Sequence, residues 1–141
     1  MKNLFFISLL YLSFFNGFSQ VHWLINQDEV KNCKLIKSGK FVNKISNEEA
    51  TPDYFIVFSE GFATEYVDNG KYFIKSKIEF KNDCYYQSIV VECTIPNYDL
   101  SINTKIQTEI LETATQDKLI KIRSKMENSE WQFFVLQKIE D

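Results

Sequence analysis

The chain has 141 residues and a formal net charge of −3 at neutral pH, from 16 basic and 19 acidic side chains. General nucleic-acid-binding proteins usually carry a basic surface, so this mildly acidic chain is not expected to bind nucleic acid. Four glycines and two prolines do not favour a long disordered tail, and the length suits one domain with one modest core.

The N-terminal end of the sequence has the order of a secretory signal peptide. Lys2 supplies a positive charge, an apolar run from Leu4 to Phe15 follows, and the small residues Gly17 and Ser19 come next. This run is shorter than the roughly twenty residues that span a membrane. We predict a signal peptide at residues 1–19 and export to the periplasm or the medium. No stable membrane span is expected after cleavage, and an uncleaved N-terminal anchor is the alternative.

Most of the remaining sequence has the pattern of β-strands. Residues 20–32 fit a short helix at most, and residues 33–141 are predicted to form one β-barrel domain. In KYFIKSKIEFK, apolar or small residues alternate with charged ones, as in a half-buried antiparallel strand. Similar patterns give eight strand candidates: CKLIKSGKFV, DYFIVFS, GFATEYV, KYFIKSKIEFK, CYYQSIVVECTI, TKIQTEILETAT, KLIKIRSKM and EWQFFVLQKI.

The connections between these segments predict how the strands are arranged. Most are short, and the pattern contains none of the long helices that would join parallel strands. The predicted fold is therefore all-β, an antiparallel up-and-down meander of about eight strands. Such a meander often closes into a barrel, because closure removes exposed strand edges.

Two of the turns set the predicted strand registers. A two-residue turn at Asn69-Gly70, the strongest short hairpin pattern, places Glu65 opposite Ile74. A similar turn at Asn82-Asp83 places Ile78 opposite Gln87. The predicted inner face then contains Gly61, Ala63, Glu65, Ser76, Ile78, Gln87, Ile89, Val91 and Cys93.

The turn near Gln116-Asp117 leaves two registers for its hairpin. A two-residue turn places Glu112 opposite Lys121 on the outer face, and this solvent-exposed pair is the favoured interpretation. A three-residue turn points Glu112 inward instead. That second register would also bring four apolar side chains onto one face: Ile106, Ile110, Ile122 and Met126.

The three cysteines suggest a disulfide. Nine extended residues between Cys84 and Cys93 span about 30 Å, whereas the Cα atoms of a disulfide lie within about 7 Å. These two cysteines therefore cannot pair while they share a strand. Cys84 beside a turn is the favoured partner for Cys33, and Cys93 then fills space as a small buried side chain. A Cys33–Cys93 bridge and the absence of any bridge are the alternatives.

Four short blocks of the sequence resemble a known group of proteins. The blocks CKLIKSGKF, EGFATEY, EFKNDCYY and FFVLQKI occur in that order. They are similar to small secreted proteins of flavobacteria and their relatives, which have calycin- or lipocalin-like β-meanders. The chain differs where an arginine often precedes the EG turn and where a tryptophan often stands at Phe80. The resemblance implies export and a barrel, without any particular reaction. The matching positions are Cys33, Gly39, Phe41, Glu65, Cys84 and Tyr86.

Few residues in the sequence suit catalysis or metal binding. His22 is the single histidine and has no second ligand at a useful spacing. The sequence contains no nucleophile elbow, Walker A loop or dinucleotide-binding fingerprint. We therefore expect no metal site, no cofactor and no enzymatic activity.

Two functions fit these observations. The first is a barrel that binds a small apolar or amphipathic molecule, because its predicted inner face combines small side chains with a carboxylate and an amide. The alternative is a non-catalytic structural or interaction protein of the cell envelope, with a fully packed barrel. The residues predicted to line a ligand are Gly61, Ala63, Glu65, Ser76 and Gln87.

Overall fold

The computed structural model describes residues 24–44, 53–98 and 101–141, and the predicted signal peptide lies outside these ranges. Within them, antiparallel strands form a closed barrel in which each strand pairs with its neighbours in sequence and β1 pairs with β8. This arrangement confirms the predicted up-and-down barrel. The strands are β1 (Gly39–Asn43), β2 (Phe55–Ser59), β3 (Phe62–Val67), β4 (Tyr72–Asn82), β5 (Tyr85–Cys93), β6 (Lys105–Ala114), β7 (Leu119–Met126) and β8 (Gln132–Glu140).

The chain enters the barrel through a short 3₁₀ helix, Cys33–Lys37, where the sequence pattern predicted the start of a strand. The helix suggested for residues 20–32 is not found in its described part, since residues 24–32 contain only turns, bends and irregular backbone. In a 3₁₀ helix, side chains three positions apart share a face. Cys33 and Ile36 accordingly both point into the core, and Ile36 is fully buried. No helix in the described ranges is long and apolar enough to cross a membrane.

A disulfide fixes this 3₁₀ helix to the barrel. It joins Cys33 to Cys84, with Cα atoms 5.2 Å apart, which confirms the favoured pairing. Cys84 lies in the turn between β4 and β5, while Cys93 is free and half-buried. A disulfide of this kind is typical of proteins in an oxidising compartment.

The two ends of the barrel differ in how they are filled. We call one the disulfide end, because the 3₁₀ helix, the disulfide and the β2–β3, β4–β5 and β6–β7 turns lie there. We call the other the far end, where β1, β3, β5 and β7 finish. The hydrophobic core reaches from the disulfide end into the middle of the barrel. Its members are Cys33, Ile36, Phe41, Ile56, Phe58, Ala63, Tyr86, Ile110, Ile120, Ile122 and Leu136.

The hairpin between β3 and β4 has the predicted register. Glu65 lies opposite Ile74, and Ala63 lies opposite Ser76. Asp68, Asn69 and Gly70 all have positive φ angles, of 52°, 55° and 85°, a backbone region that Asp, Asn and Gly adopt more readily than other residues. These residues reverse the chain at the predicted position, with Val67 opposite Tyr72.

The predicted register between β4 and β5 is wrong by one residue. Asn82 pairs with Tyr85, so Asp83 and Cys84 form the turn instead of Asn82 and Asp83. Moving the turn by one position would by itself keep the predicted faces. A β-bulge between Phe80 and Asn82 adds one residue, Lys81, to β4, and since side chains alternate between faces, this extra residue exchanges the faces of β5. Ser88, not Gln87, consequently lies opposite Ile78. Tyr86, Ser88 and Val90 are buried, while Gln87, Ile89 and Val91 take the outer face.

Two further register shifts place other side chains. A shift between Lys75 and Ser76 returns Cys93 to the inner face, opposite Ile74. A shift between Ile110 and Glu112 lets both registers considered for the β6–β7 hairpin exist in one strand pair. Ile110 lies opposite Ile122 before the shift, and Glu112 lies opposite Lys121 after it. Each register shift is a β-bulge, in which one strand has an extra residue, and this extra residue changes which face of the strand points inward.

Candidate functional site: a cavity inside the barrel

A cavity of about 160 Å³ lies inside the barrel, above the core and towards the far end. Its floor consists of core side chains, among them Phe58 and Tyr86, whose rings meet edge to face with centroids 6.4 Å apart. An apolar cavity of about 150 Å³ is large enough to bind benzene. The space therefore suits one ring or a group of similar bulk. Its apolar wall consists of Ile56, Phe58, Ala63, Ile74, Ile106, Ile122, Met126, Phe134 and Leu136.

A carboxyl–phenol pair supplies the main polar feature of the cavity. Tyr54 immediately precedes β2, and its hydroxyl donates a hydrogen bond of 2.8 Å to Glu65 Oε2 on β3. Both side chains line the cavity, because Tyr54 shares the inner face with Ile56, and Ile56 lies opposite Glu65. Burial raises the pKa of the Glu65 carboxyl, and the hydrogen bond from Tyr54 opposes that rise. Glu65 is therefore a carboxyl group whose ionised form has lost part of its hydration.

Three phenols surround this carboxyl group. The pKa of Tyr54 lies well above its ordinary value, first because of burial and then because of the negative charge of Glu65. Burial also raises the pKa values of Tyr86 and Tyr98, and the charge of Glu65 raises both further. All three therefore remain protonated hydroxyl groups at neutral pH. They can act as hydrogen-bond donors inside the cavity, as Tyr54 already does.

Hydroxyl groups form a second polar strip on the cavity wall. The side chains of Thr108 on β6 and Ser124 on β7 are hydrogen-bonded at 2.8 Å, and the two residues are register partners. Ser88 on the neighbouring β5 is also buried and lines the cavity. These short side chains leave room where larger ones would fill the barrel, so they contribute both space and polarity.

The structure places only part of the predicted ligand-lining set at this cavity. Ala63 and Glu65 line it. Ser76 is buried without being one of the lining residues, and Gln87 lies on the outer face because of the register slip. Gly61 lies in the β2–β3 turn at the disulfide end, where an added Cβ would meet nothing within 4 Å.

Sequence reasoning missed several residues of the cavity. Tyr54 could have been found by extending the alternation of Ile56 and Phe58 one step towards the N-terminus. Ser88 faces the cavity because of the β-bulge between Phe80 and Asn82, which no turn pattern in the sequence indicates. Tyr98 lies in the long connection between β5 and β6, which has no periodic pattern that could point to the cavity.

A second polar cluster lies outside the barrel wall. Glu112 and Lys121 do pair across β6 and β7, at 3.2 Å between Oε1 and Nζ, as the favoured register predicted. The prediction that this pair is exposed to solvent is wrong, since only 1% of Glu112 and 4% of Lys121 are exposed. The backbone N–H of Leu24 donates to Glu112 Oε2 at 2.8 Å, so the segment of residues 24–32 covers the pair.

Asp28 holds this covering segment in place. Its carboxylate accepts hydrogen bonds from the hydroxyls of Thr113 and Thr115, at 2.6 and 2.7 Å. These hydrogen bonds lower the pKa of Asp28. The backbone N–H of Asp28 also donates to the Thr113 carbonyl at 2.8 Å. The contacts tie the segment to the end of β6 and leave the Glu112–Lys121 pair with a structural role.

The described ranges contain no candidate metal site, since no three or more His, Cys, Asp or Glu side chains are placed there to hold an ion. The single histidine, His22, lies outside them.

No protein-family model, no curated protein and no solved structure matches this chain.

Proposed function

We propose that the protein is an exported binding protein whose barrel holds a small apolar or amphipathic molecule. The observation that carries this proposal is the cavity of about 160 Å³, which combines an apolar wall with the Tyr54–Glu65 pair. Binding pockets are typically apolar with a few placed polar groups, and ordinary ones measure roughly 300–1,000 Å³. This cavity is smaller, so the part of the ligand that it encloses is compact.

Export is part of the same proposal. The pattern of residues 1–19 and the Cys33–Cys84 disulfide both support passage into an oxidising compartment. The resemblance of four sequence blocks to small secreted flavobacterial proteins supports it as well. Mass spectrometry of the protein from its native host should find an N-terminus at Gln20. A full-length chain retained in the inner membrane would contradict export.

The second candidate function is a structural or interaction role in the cell envelope. The half of the barrel at the disulfide end favours it, because Ile36, Phe41 and Ile110 are fully buried there. In that case the remaining space is a packing defect, and no molecule is taken up.

Filling the cavity distinguishes the two functions. Ala63→Leu adds bulk to the cavity wall, while Thr64→Leu makes a similar change at the next position, which faces outward. Ligand-observed NMR with toluene should show binding to the unmodified protein, none to Ala63→Leu, and unchanged binding to Thr64→Leu. Circular dichroism checks that both variants are folded. If the unmodified protein binds no toluene or other compact apolar probe, the binding function is wrong and the envelope role replaces it.

A further inference from the structure

The Glu65 carboxyl group in the cavity has one oxygen without a hydrogen-bond partner among the described residues. Glu65 Oε2 accepts the hydrogen bond from Tyr54, whereas no described residue bonds to Oε1. No buried side-chain oxygen in the described residues lacks a partner, so Oε1 reaches accessible space. Because Glu65 lines the cavity, that oxygen is available to a bound molecule.

The charges around the cavity favour a cation at this oxygen. None of the ion pairs in the described residues includes Glu65. Lys125 also lines the cavity, but its ammonium lies over the Trp131 ring, 4.8 Å from the centroid. Among the described residues, Glu65 is therefore the one acidic side chain that lines the cavity, and its half-buried carboxyl group has a hydrogen bond but no ion-pair partner there.

The neighbouring aromatic side chains suit the same kind of ligand. Tyr54, Tyr86 and Tyr98 all interact electrostatically with Glu65. The faces of tyrosine rings attract cations, more strongly where water is excluded. Burial raises the pKa of the Glu65 carboxyl, and a cation beside it would favour the ionised form again.

We infer that the cavity selects a compact amine, in which an apolar body of about one ring carries a protonated amino group that binds Glu65 Oε1. This inference rests on the proposed binding function and names the class of its ligand. An anionic ligand would bring a second negative charge beside Glu65, and like charges disfavour each other at short range. A neutral ligand would leave this half-buried carboxylate without a counter-ion.

Three probes of nearly equal shape test the selectivity. Benzylamine carries the ammonium, benzyl alcohol is neutral, and benzoate is anionic. Their dissociation constants at pH 7 can be measured by titration with NMR detection. We expect benzylamine to bind about tenfold more tightly than benzyl alcohol, as a charge-assisted hydrogen bond should provide, and benzoate to bind most weakly.

Two variants assign the selectivity to Glu65. Glu65→Gln removes the charge and keeps an acceptor for Tyr54, so it should weaken benzylamine about tenfold and leave benzyl alcohol nearly unchanged. Glu92→Gln makes the same change on the exposed outer side of β5 and should alter neither. Circular dichroism confirms that both variants are folded.

The possible failures separate the two proposals. Equal affinity for benzylamine and benzyl alcohol, unchanged benzylamine binding by Glu65→Gln, or a preference for benzoate would each overturn the amine selectivity and leave the binding function standing. If the unmodified protein binds toluene but none of the three probes, the amine selectivity alone is wrong; if it binds neither toluene nor any of the three, the binding function fails and the inference fails with it.

Discussion

Removal of the disulfide tests how the 3₁₀ helix is held on the barrel. The double variant Cys33→Ala, Cys84→Ala is preferable to a single change, because a single change leaves a thiol that can pair with Cys93 once the chain is unfolded. The bridge closes a loop with a sequence separation of 51. On the chain-entropy relation, a loop of that length corresponds to about 4 kcal/mol at 25 °C.

This loss would be large for a domain of this size. Small domains are typically stable by about 5–15 kcal/mol, so the double variant should lose a substantial part of its free energy of unfolding. Near the melting temperature, 1 kcal/mol corresponds to about 4 °C for a domain of this length, so the midpoint should fall by roughly 15 °C. The fold should remain, since the bridge acts mainly on the unfolded chain.

Urea denaturation followed by circular dichroism measures the effect. The unmodified protein treated with a reductant should behave like the double variant. Cys93→Ala is the matched control and should change the free energy of unfolding by much less, because Cys93 is a free, half-buried thiol. A double variant within about 1 kcal/mol of the unmodified protein would refute the loop-closure reasoning.

Three further changes test other parts of the structure. Glu112→Ala removes a buried carboxylate that pairs with Lys121 and accepts a hydrogen bond from the Leu24 N–H, and it should lower the free energy of unfolding in urea by about 3–5 kcal/mol. Glu65→Gln should abolish the part of the pH dependence of stability that Glu65 causes. The pKa of Glu65 is raised in the folded protein, so its contribution to stability is fully present below its unfolded pKa. That contribution is lost as pH rises through the folded pKa. Gly39→Ala should lower the melting temperature, because Gly39 has a φ of +111° and an added Cβ would lie 2.5 Å from the Glu140 carbonyl oxygen.

Each of these changes has a comparison that can contradict it. Glu109→Ala removes the half-exposed partner of Arg123 and should lower the free energy of unfolding by only about 0–1 kcal/mol. If Glu112→Ala lowers it by no more than Glu109→Ala does, the prediction for Glu112 is wrong. The difference in stability between the unmodified protein and Glu65→Gln should shift between acidic and alkaline buffers, and a constant difference contradicts the raised pKa of Glu65. An unchanged melting temperature in Gly39→Ala would show that β8 can move away.

The fold could be predicted because the pattern of the strands is local. Alternation of polar and apolar residues depends only on neighbouring positions, and the Asn69-Gly70 turn has a strong backbone preference of its own. The β4–β5 hairpin could not be resolved in the same way. Asn82 and Asp83 both suit a turn, and the Asn82 side chain accepts a hydrogen bond from the Cys84 N–H, which helps to form the turn one position later. The β-bulge between Phe80 and Asn82, which exchanges the faces of β5, has no local pattern that predicts it.

The cavity was less predictable because its residues depend on contacts between distant parts of the chain. Ala63 and Glu65 followed from the β3–β4 hairpin, whose register was predicted correctly, while Gln87 was displaced by the β-bulge in the β4–β5 hairpin. The burial of Glu112 depends on the segment that contains Asp28, 85 positions from Thr113. No local pattern on β6 indicates that such a segment covers it.

The seam between β1 and β8 has a consequence for how the chain can misassemble. Every other strand pair joins neighbours in sequence, whereas the side chains of Lys40 and Glu140, bonded across this seam, are 100 positions apart. Distant pairings close slowly, so a nearly complete sheet with two free edges should precede the barrel. The uncharged run Gln132–Gln137 on β8 would then be an exposed template for a second chain. Refolding yield should consequently fall as protein concentration rises, even though the finished barrel has no free edge in its described part.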